Sequence, residues 1–231
     1  MQQSVLRTNA DRIYQDLRES ILFLDPEPGA PLDVNAIANT LGVSRSPVRD
    51  ALLRLSRDGL VEIRPQRGTL VSLIDPVKAH EERFMRENLE LPALALFASE
   101  RDGDHFARFR DSLASALASQ RLALQRGDLA AFLAGDDAFH RTIFAAASKS
   151  RCWEAVNAMS GHYRRIRYLA LRSHSTPDTI LDEHGAIYSL VAERNEAGAT
   201  ALMRRHLARL DVDESALRRE YPSYFAEGEP Q

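Results

Sequence analysis

Apolar positions recur at spacings of three and four near the start of the chain and predict three short helices. The first spans residues 9–24 and ends at the segment DPEPGAP, whose prolines and glycine favour a turn. A second is predicted from an N-cap at Asp33 to Gly42, and a third has Pro47 in its first turn and runs to Arg57. Two short helices joined by a tight turn are typical of a helix-turn-helix.

The pattern changes after the third helix and predicts a β-hairpin. Two β-rich runs, at 60–63 and 69–73, flank the sequence Arg64-Pro65-Gln66-Arg67-Gly68. A two-stranded ribbon with a basic tip is able to follow a phosphate backbone or reach into a minor groove. The first part of the chain is therefore predicted to be a winged helix-turn-helix.

From Val77 onward the hydrophobic period is helical almost throughout. Interruptions at 102–103, 127–128, 148–150, 173–178 and 195–198 predict about six helices. No strand is predicted after Leu73, and the tail after Tyr221 is expected to fray. The predicted fold is mainly α, with a winged helix-turn-helix domain over 1–75 and an all-α domain over 76–231.

Composition limits the expected cellular location of the chain and the residue types that could bind a metal. No stretch of its 231 residues approaches the roughly 20 apolar residues that a membrane-spanning helix needs. The N-terminal stretch has no apolar core of the secretory type, so a cytoplasmic location without a membrane partner is expected. Because Cys152 is the single cysteine, a metal site would have to use histidine and carboxylate ligands.

Charge points to nucleic acid only locally. The formal net charge of −3 argues against a protein that coats nucleic acid indiscriminately. Between Gly42 and Gly68, however, six arginines stand against three acidic residues. By charge alone, this segment is equally consistent with a solvated helix face that carries ordinary ion pairs.

The segment PGAPLDVNAIANTLGVSRSPVRDALLRLSRDGLVEIRPQRGTLVS resembles the DNA-binding domain of the GntR family of bacterial regulators. The likeness covers the LGVSRSPVRDAL recognition element, the RDGLVE exit and the RGTLV wing. It implies a homodimer that reads a short palindromic operator in double-stranded DNA, with each recognition helix in a major groove.

Six residues of this segment are the expected DNA contacts: Ser44, Arg45, Ser46, Arg49, Arg67 and Gly68. Arg45 and Arg49 lie four apart, so one can reach a guanine edge and the other a phosphate. Ser44 and Ser46 can cap the helix and donate to phosphate. The alternative for the two arginines is a surface ion pair with a carboxylate such as Asp50, and for Gly68 a turn that requires a positive φ.

Four polar residues in the second half fall on apolar helix faces. Asp136 and His140 are four apart on one face, and His184 and His206 are in phase with the apolar positions of two later helices. A buried carboxylate and three buried imidazoles are costly unless paired, and one divalent cation would satisfy all of them. Taken alone, each histidine would more often be a hydrogen-bonded core or interface residue than a metal ligand.

The same region resembles the FadR-type effector domain called FCD, through RENLELPALALFA, DDAFHRTIFAAAS and EHGAIYSLVAERNEAGATALMRRHL. The resemblance implies an antiparallel helical bundle with a cavity, which also dimerises. One aspartate and three histidines bind metal in such domains, and they fall on Asp136, His140, His184 and His206. Zinc is the first expectation, with nickel or manganese as alternatives.

A ligand carboxylate could fill an open position on the metal and pair with Arg86, from the Arg-x-x-Leu-Glu match. The alternative for Arg86 is a surface pair with Glu82 or Glu90. One of Arg164, Arg165 and Arg167 could also face the cavity, and the sequence does not say which.

The expected function is that of a transcriptional regulator, most often a repressor, whose operator affinity changes when a small organic acid binds beside the metal. Two alternatives remain open: a regulator that senses the metal or is only stabilised by it, and a metal-dependent hydrolase fused to a DNA-binding module. The chain shows no HExxH-like general base and no nucleophile motif, so we expect no enzyme. The effector, the operator and the sign of regulation are not encoded in any motif.

Overall fold

The computed structural model describes residues 8–173 and 177–228, with only the backbone for residues 210–213. These residues form two compact units, which comprise residues 8–77 with 221–228, and residues 78–220. The expected fold class is confirmed, because the described chain is mainly helical and has one small sheet. Among these residues, no helix is long and apolar enough to cross a bilayer.

The described part of the first unit contains three α-helices and three strands. They are α1 Asn9–Leu22, β1 Pro31–Leu32, α2 Val34–Leu41, α3 Arg45–Arg57, β2 Val61–Arg64 and β3 Gly68–Val71. Asp33 caps α2 by accepting from the backbone N–H groups of Asn35 and Ala36. Gly42 ends α2 at a left-handed φ of 64°, which fixes the tight turn into α3.

The wing is an antiparallel sheet with strand order β1-β3-β2. In the hairpin, Val61 pairs with Val71 and Arg64 pairs with Gly68. The turn needs positive φ at Gln66 (61°) and at Gly68 (90°), and the glycine adopts this conformation without steric cost. The strand β1 was not predicted, and its two residues pair with Leu70 and Thr69 of β3.

Within the described residues, the second unit is built from eight helices, where about six were predicted. They are α4 Pro76–Ala98, whose first two residues belong to the first unit, α5 Gly103–Gln125, α6 Leu129–Ala146, α7 Ser150–Met159, α8 Gly161–Ser173, α9 Pro177–Ala192, α10 Glu196–Ala208 and α11 Leu210–Glu220. The additional breaks lie at Ser160 and Arg209. At the first break, Glu82 accepts a hydrogen bond from the backbone N–H of Tyr163 at 2.7 Å, so a tertiary contact stabilises the start of α8.

Residues 222–228 do not fray as expected. A short 3₁₀ helix, Pro222–Tyr224, leads to Phe225, which forms a parallel bridge with Ile74 and is 7% exposed. The backbone N–H of Ile74 donates to Tyr224 and that of Ala226 donates to Ile74, both at 2.8 Å. Burial of the aromatic ring and these two hydrogen bonds hold the segment in the first unit.

Candidate metal centre and nucleic-acid interface

Four side chains on three helices converge inside the second unit. The helix α6 supplies Asp136 and His140, α9 supplies His184, and α10 supplies His206. One oxygen or nitrogen atom from each residue lies within 4.8 Å of the others. The structure therefore brings together all four residues that the helical phase places on inward faces.

Each of the three imidazoles has a hydrogen-bond partner at its Nδ1 atom. The ring Nδ1 atoms face side-chain oxygens of other helices: His140 faces Glu90, His184 faces Gln120, and His206 faces Glu183. A proton on Nδ1 satisfies each contact and leaves the Nε2 lone pair free. Three Nε2 acceptors are thereby directed toward a common centre.

The distances between the Nε2 atoms show whether a metal ion fits between them. Those of His184 and His206 are 3.2 Å apart, and neither can donate to the other when both Nδ1 atoms carry the proton. Two nitrogens bound to one zinc ion at about 2.0–2.1 Å stand roughly 3.0–3.4 Å apart. Among the described residues, the buried Nε2 of His140 has no hydrogen-bond partner, and it lies 3.5 Å from Asp136 Oδ2. The donor set and its spacing fit a divalent cation.

Electrostatics also match what metal ligands require. Burial lowers the pKa of His140 and, more strongly, that of His184, so both rings are neutral near pH 7. Burial alone would raise the pKa of Asp136, but Arg167 and the neighbouring histidines hold it well below its usual range. Burial alone would raise the pKa of Glu90, but its contacts with His140 and Arg86 lower this pKa to about 2. The centre thus combines neutral imidazoles at His140 and His184 with an ionised carboxylate at Asp136.

Close packing of α5 on α6 places Gln120 behind His184. A Cβ atom at Gly135 would lie 3.1 Å from both the Cα and the Cβ of Gln120, so the glycine permits this approach. We expect Gly135→Ala to lower the free energy of unfolding by about 1–2 kcal/mol, because overpacking outweighs the gain in helix propensity.

Gly185→Ala is the matched control for this prediction, measured by urea unfolding of both variants. Gly185 lies inside α9, and a Cβ atom there would meet no described residue within 4 Å apart from the adjacent backbone of its own helix. Alanine should therefore stabilise the protein by about 0.5–1 kcal/mol. Equal effects of the two substitutions would contradict the packing argument.

A pocket with an empty volume of about 470 Å³, including its open mouth, adjoins the four converging residues. Its polar lining consists of Arg86, Asp136, Tyr163, Arg167, His206 and Arg209. Its apolar lining consists of Ala170, Leu171, Ile180 and Leu207. Three arginines beside an apolar wall suit a small organic anion.

The arginines of the pocket are fixed by contacts on their inner sides. Arg86 Nε donates to Glu90 at 3.1 Å, while its buried Nη2 has no partner among the described residues. The guanidinium groups of Arg86 and Arg167 lie 5.6 and 5.7 Å from the ring centre of Tyr163. Arg86 thus pairs with Glu90, although in the interior and not on the surface, and it also lines the pocket, while its contact with a ligand stays a prediction.

The structure also answers which arginine of α8 faces the pocket. Arg167 lines it and donates to Asp136. Arg164 instead forms an ion pair with Asp137 at 2.9 Å, and Arg165 is fully buried and donates to the carbonyl of Gly161. Of these three side chains, Arg167 is therefore the one that can meet a ligand in this pocket.

The residues expected to contact DNA lie at the start of α3 and at the wing tip. Arg45, Ser46 and Arg49 occupy the first two turns of α3 and are exposed. Ser44 is the N-cap residue by position, but its side chain makes no capping hydrogen bond within the described chain, contrary to the expected capping role. Arg45 and Arg49 form no ion pair with any residue in the described part of the chain.

The wing tip has a similar character. Arg67 lies in the turn between β2 and β3, Gly68 is the first residue of β3, and both are exposed. Gly68 has the positive φ that its alternative role requires. By contrast, Arg54 pairs with Asp11 at 2.7 Å and stacks on Tyr14, so it stabilises the packing of α1 on α3.

Sequence reasoning missed the residues that support the converging side chains. Gln120 could have been found, because it is a polar residue in phase with the apolar positions Leu113, Ala116 and Ala123 of α5. Glu90 was considered only as a surface partner of Arg86, although it too lies on the apolar face of its helix. The role of Glu183 depends on the position of α10 and has no local signal.

Comparison with known proteins supports both units. Residues 9–71 match the model of bacterial regulatory proteins of the gntR family, and residues 83–209 match the FCD domain. A protein of Streptomyces ambofaciens, named as an HTH-type transcriptional regulator in an unstable DNA locus, is 34% identical over 98% of this chain and 93% of its own. The HTH-type transcriptional repressor RspR of Escherichia coli is 29% identical over 94% and 93%.

Solved structures show the same fold. Escherichia coli McbR/YncC aligns with a TM-score of 0.74 at 19% identity, over 94% of this chain and 100% of that one. A regulator from Rhodococcus sp. RHA1 gives 0.73 at 24%, over 91% and 98%. The relatives are named as transcriptional regulators and not as enzymes, which agrees with the expectation of no catalytic function. The chain belongs to the GntR family of transcriptional regulators, with a winged helix-turn-helix followed by an FCD domain.

Proposed function

We propose that this regulator binds zinc through Asp136, His140, His184 and His206, and that a small organic acid bound beside the metal changes its affinity for operator DNA. The observation that carries the proposal is the convergence of three Nε2 atoms whose Nδ1 atoms are all held by acceptors. Nickel and manganese are the alternative ions.

The metal would supply a Lewis-acidic position open to a ligand carboxylate. The chain itself would orient that ligand. Arg86 has a buried Nη2 without a partner among the described residues, and Arg167 lines the same pocket. The apolar part of the lining, including Leu171 and Leu207, favours an effector with a hydrocarbon part.

On the DNA side, we propose that Arg45 and Arg49 enter the major groove while Arg67 and Gly68 contact the backbone or minor groove. Their exposure and the absence of ion pairs of the two α3 arginines within the described residues support this role. Ser44 and Ser46, at the N-terminal end of α3, are able to donate to a phosphate. A homodimer would place two such helices on a palindrome.

We further propose repression as the sign of regulation, since RspR of Escherichia coli is named as a transcriptional repressor. The effector must bind the DNA-competent and DNA-incompetent states with different affinities for this to work.

The test combines metal analysis with ligand and DNA titrations. Purified protein should contain about one metal ion per chain, and a thermal-shift screen of carboxylates and sugar acids on zinc-loaded protein should identify stabilising compounds. Those compounds should change the Kd for operator DNA selected from a random library. A protein that binds no divalent metal would refute the proposal.

One outcome would favour the alternative of a metal-sensing regulator. If chelation alone released the DNA and no acid changed the Kd, the metal would itself be the signal. The buried position of His140 and His184, at 0% exposure, instead favours a resident ion over one that exchanges freely.

The supporting contacts make a separate prediction. Glu90→Gln removes the negative charge that holds Nδ1 of His140, so we expect metal affinity to fall about 10–100-fold. Competition with a fluorescent chelator measures this change. Glu87→Gln on the same helix is the control, since Glu87 pairs with Arg83 and Arg204 and not with the ligands. Equal affinities in the two variants would argue against a supporting role for Glu90.

A further inference from the structure

The chain passes between the two units twice, and the second passage has no role in the function proposed above. It leaves the first unit after Val77, forms the helical unit, and returns to the first unit at Tyr221. Residues 221–228 are called the C-terminal strap below.

The C-terminal strap is hydrogen-bonded to Ile74, in the linker that precedes α4. The backbone N–H of Ile74 donates a hydrogen bond to the carbonyl of Tyr224, and the carbonyl of Ile74 accepts one from the backbone N–H of Ala226. The side chains of Ile74 and Phe225 are 0% and 7% exposed. Only Asp75 separates Ile74 from Pro76, the first residue of α4. These contacts hold the strap close to Val77, where the chain first leaves the DNA-binding unit.

The other end of the strap leads back to the pocket through α11. Arg209 lines the pocket and pairs with Glu183, the residue that holds His206. The helix α11, Leu210–Glu220, follows Arg209 directly and ends immediately before the strap. Glu214 of α11 pairs with His80 at 2.9 Å, and Leu217 is fully buried, so these turns of α11 are packed within the helical unit.

We propose that the C-terminal strap is a second mechanical connection, through which α11 transmits the state of the metal and ligand site to the linker at Ile74. The identity of the transmitted signal rests on the proposed function, whereas the connection itself does not. A unit attached at one flexible point can turn about any axis, but a unit attached at two points turns mainly about the line that joins them. The strap would therefore limit how the DNA-binding unit can reorient.

The test measures the distance between the units by single-molecule energy transfer. Dyes are placed at Gln66→Cys and Ser115→Cys, both exposed positions, in a Cys152→Ser background, with labelled chains diluted in unlabelled protein. Phe225→Asp releases the strap, and Ser223→Asp adds the same charge at an exposed position of the strap as the control. A chain that ends at Glu220 removes the strap without burying a charge, in case Phe225→Asp fails to fold.

We expect the distribution of transfer efficiency to be at least about twofold wider in Phe225→Asp and in the shortened chain, since units joined by one linker move relative to each other by default. Ser223→Asp should keep the narrow distribution. The second connection would be overturned if the distribution of transfer efficiency were equally wide in Phe225→Asp and Ser223→Asp and no wider in the shortened chain than in the full chain.

A second arm tests transmission with Zn²⁺ alone as the probe. Adding Zn²⁺ to chelated protein should shift the mean efficiency in the full chain and in Ser223→Asp. In Phe225→Asp the shift should be lost while the Zn²⁺ affinity stays within about twofold, because Phe225 belongs to the first unit and all four ligands to the second. A shift that persists in Phe225→Asp, or is absent from a full chain that binds Zn²⁺, would overturn transmission. A full chain that binds no Zn²⁺ would refute the proposed function, while the widths would still decide the connection.

Discussion

Replacing His184 with alanine is expected to abolish metal binding under conditions in which the unaltered protein holds about one zinc ion per chain. In the proposed site His184 would be the central ligand, because its Nε2 lies 3.2 Å from that of His206 and 3.7 Å from Asp136 Oδ1. Loss of an outer-shell partner already costs about 10–100-fold in metal affinity, so loss of a ligand should cost more than about 100-fold. Elemental analysis after dialysis and chelator competition both measure the effect.

His105→Ala is the control for that experiment. This histidine lies on α5, where its Nδ1 is 3.2 Å from Glu100, and it does not belong to the four converging residues. Its replacement should leave the metal content unchanged. If His184→Ala kept its zinc as His105→Ala does, the ligand assignment would be wrong.

The second large effect is expected on DNA. Arg49→Ala removes an exposed guanidinium from the second turn of α3, and a good bidentate contact to a base contributes about 1–3 kcal/mol of discrimination. The proposed dimer would lose this contact twice, so the Kd for the operator should rise roughly 30-fold or more. Fluorescence anisotropy at fixed salt measures the change, since salt alone shifts such affinities.

Arg57→Ala tests whether any positive charge on the same helix would suffice. Arg57 is exposed in the last turn of α3, at the end away from the expected groove contact. We expect only a small loss of affinity for this variant. Comparable losses in Arg49→Ala and Arg57→Ala would show that α3 contributes through its overall charge and that the N-terminal turns do not read the bases.

Features encoded by local chemistry could be predicted from the sequence. Asp33 and Gly42 mark the ends of α2 because one caps a helix and the other tolerates a left-handed φ. The spacing of Asp136 and His140 placed both on an inward face, since residues four apart share one side of a helix. In each case a few neighbouring residues contain the whole physical cause.

Features that depend on distant partners could not be predicted in the same way. The start of α8 is stabilised by Glu82, 81 positions before Tyr163 in the chain, and the two residues of β1 have no pattern of their own. The segment around Phe225 was expected to fray because its partner, Ile74, lies far back in the sequence. Periodicity reports which face of an element is buried but not which element covers it.

The helix α4 places Arg86 in the pocket and Glu90 behind His140, one turn apart and joined by a buried ion pair. An anion that binds Arg86 and a metal that binds His140 would therefore act on the same pair of side chains, and their binding free energies would be linked. Reciprocity then requires that the factor by which the metal strengthens anion binding equals the factor by which the anion strengthens metal binding. The affinity for the metal, measured by competition with a chelator at equilibrium, thus becomes an assay for the effector, one that needs neither the operator sequence nor DNA.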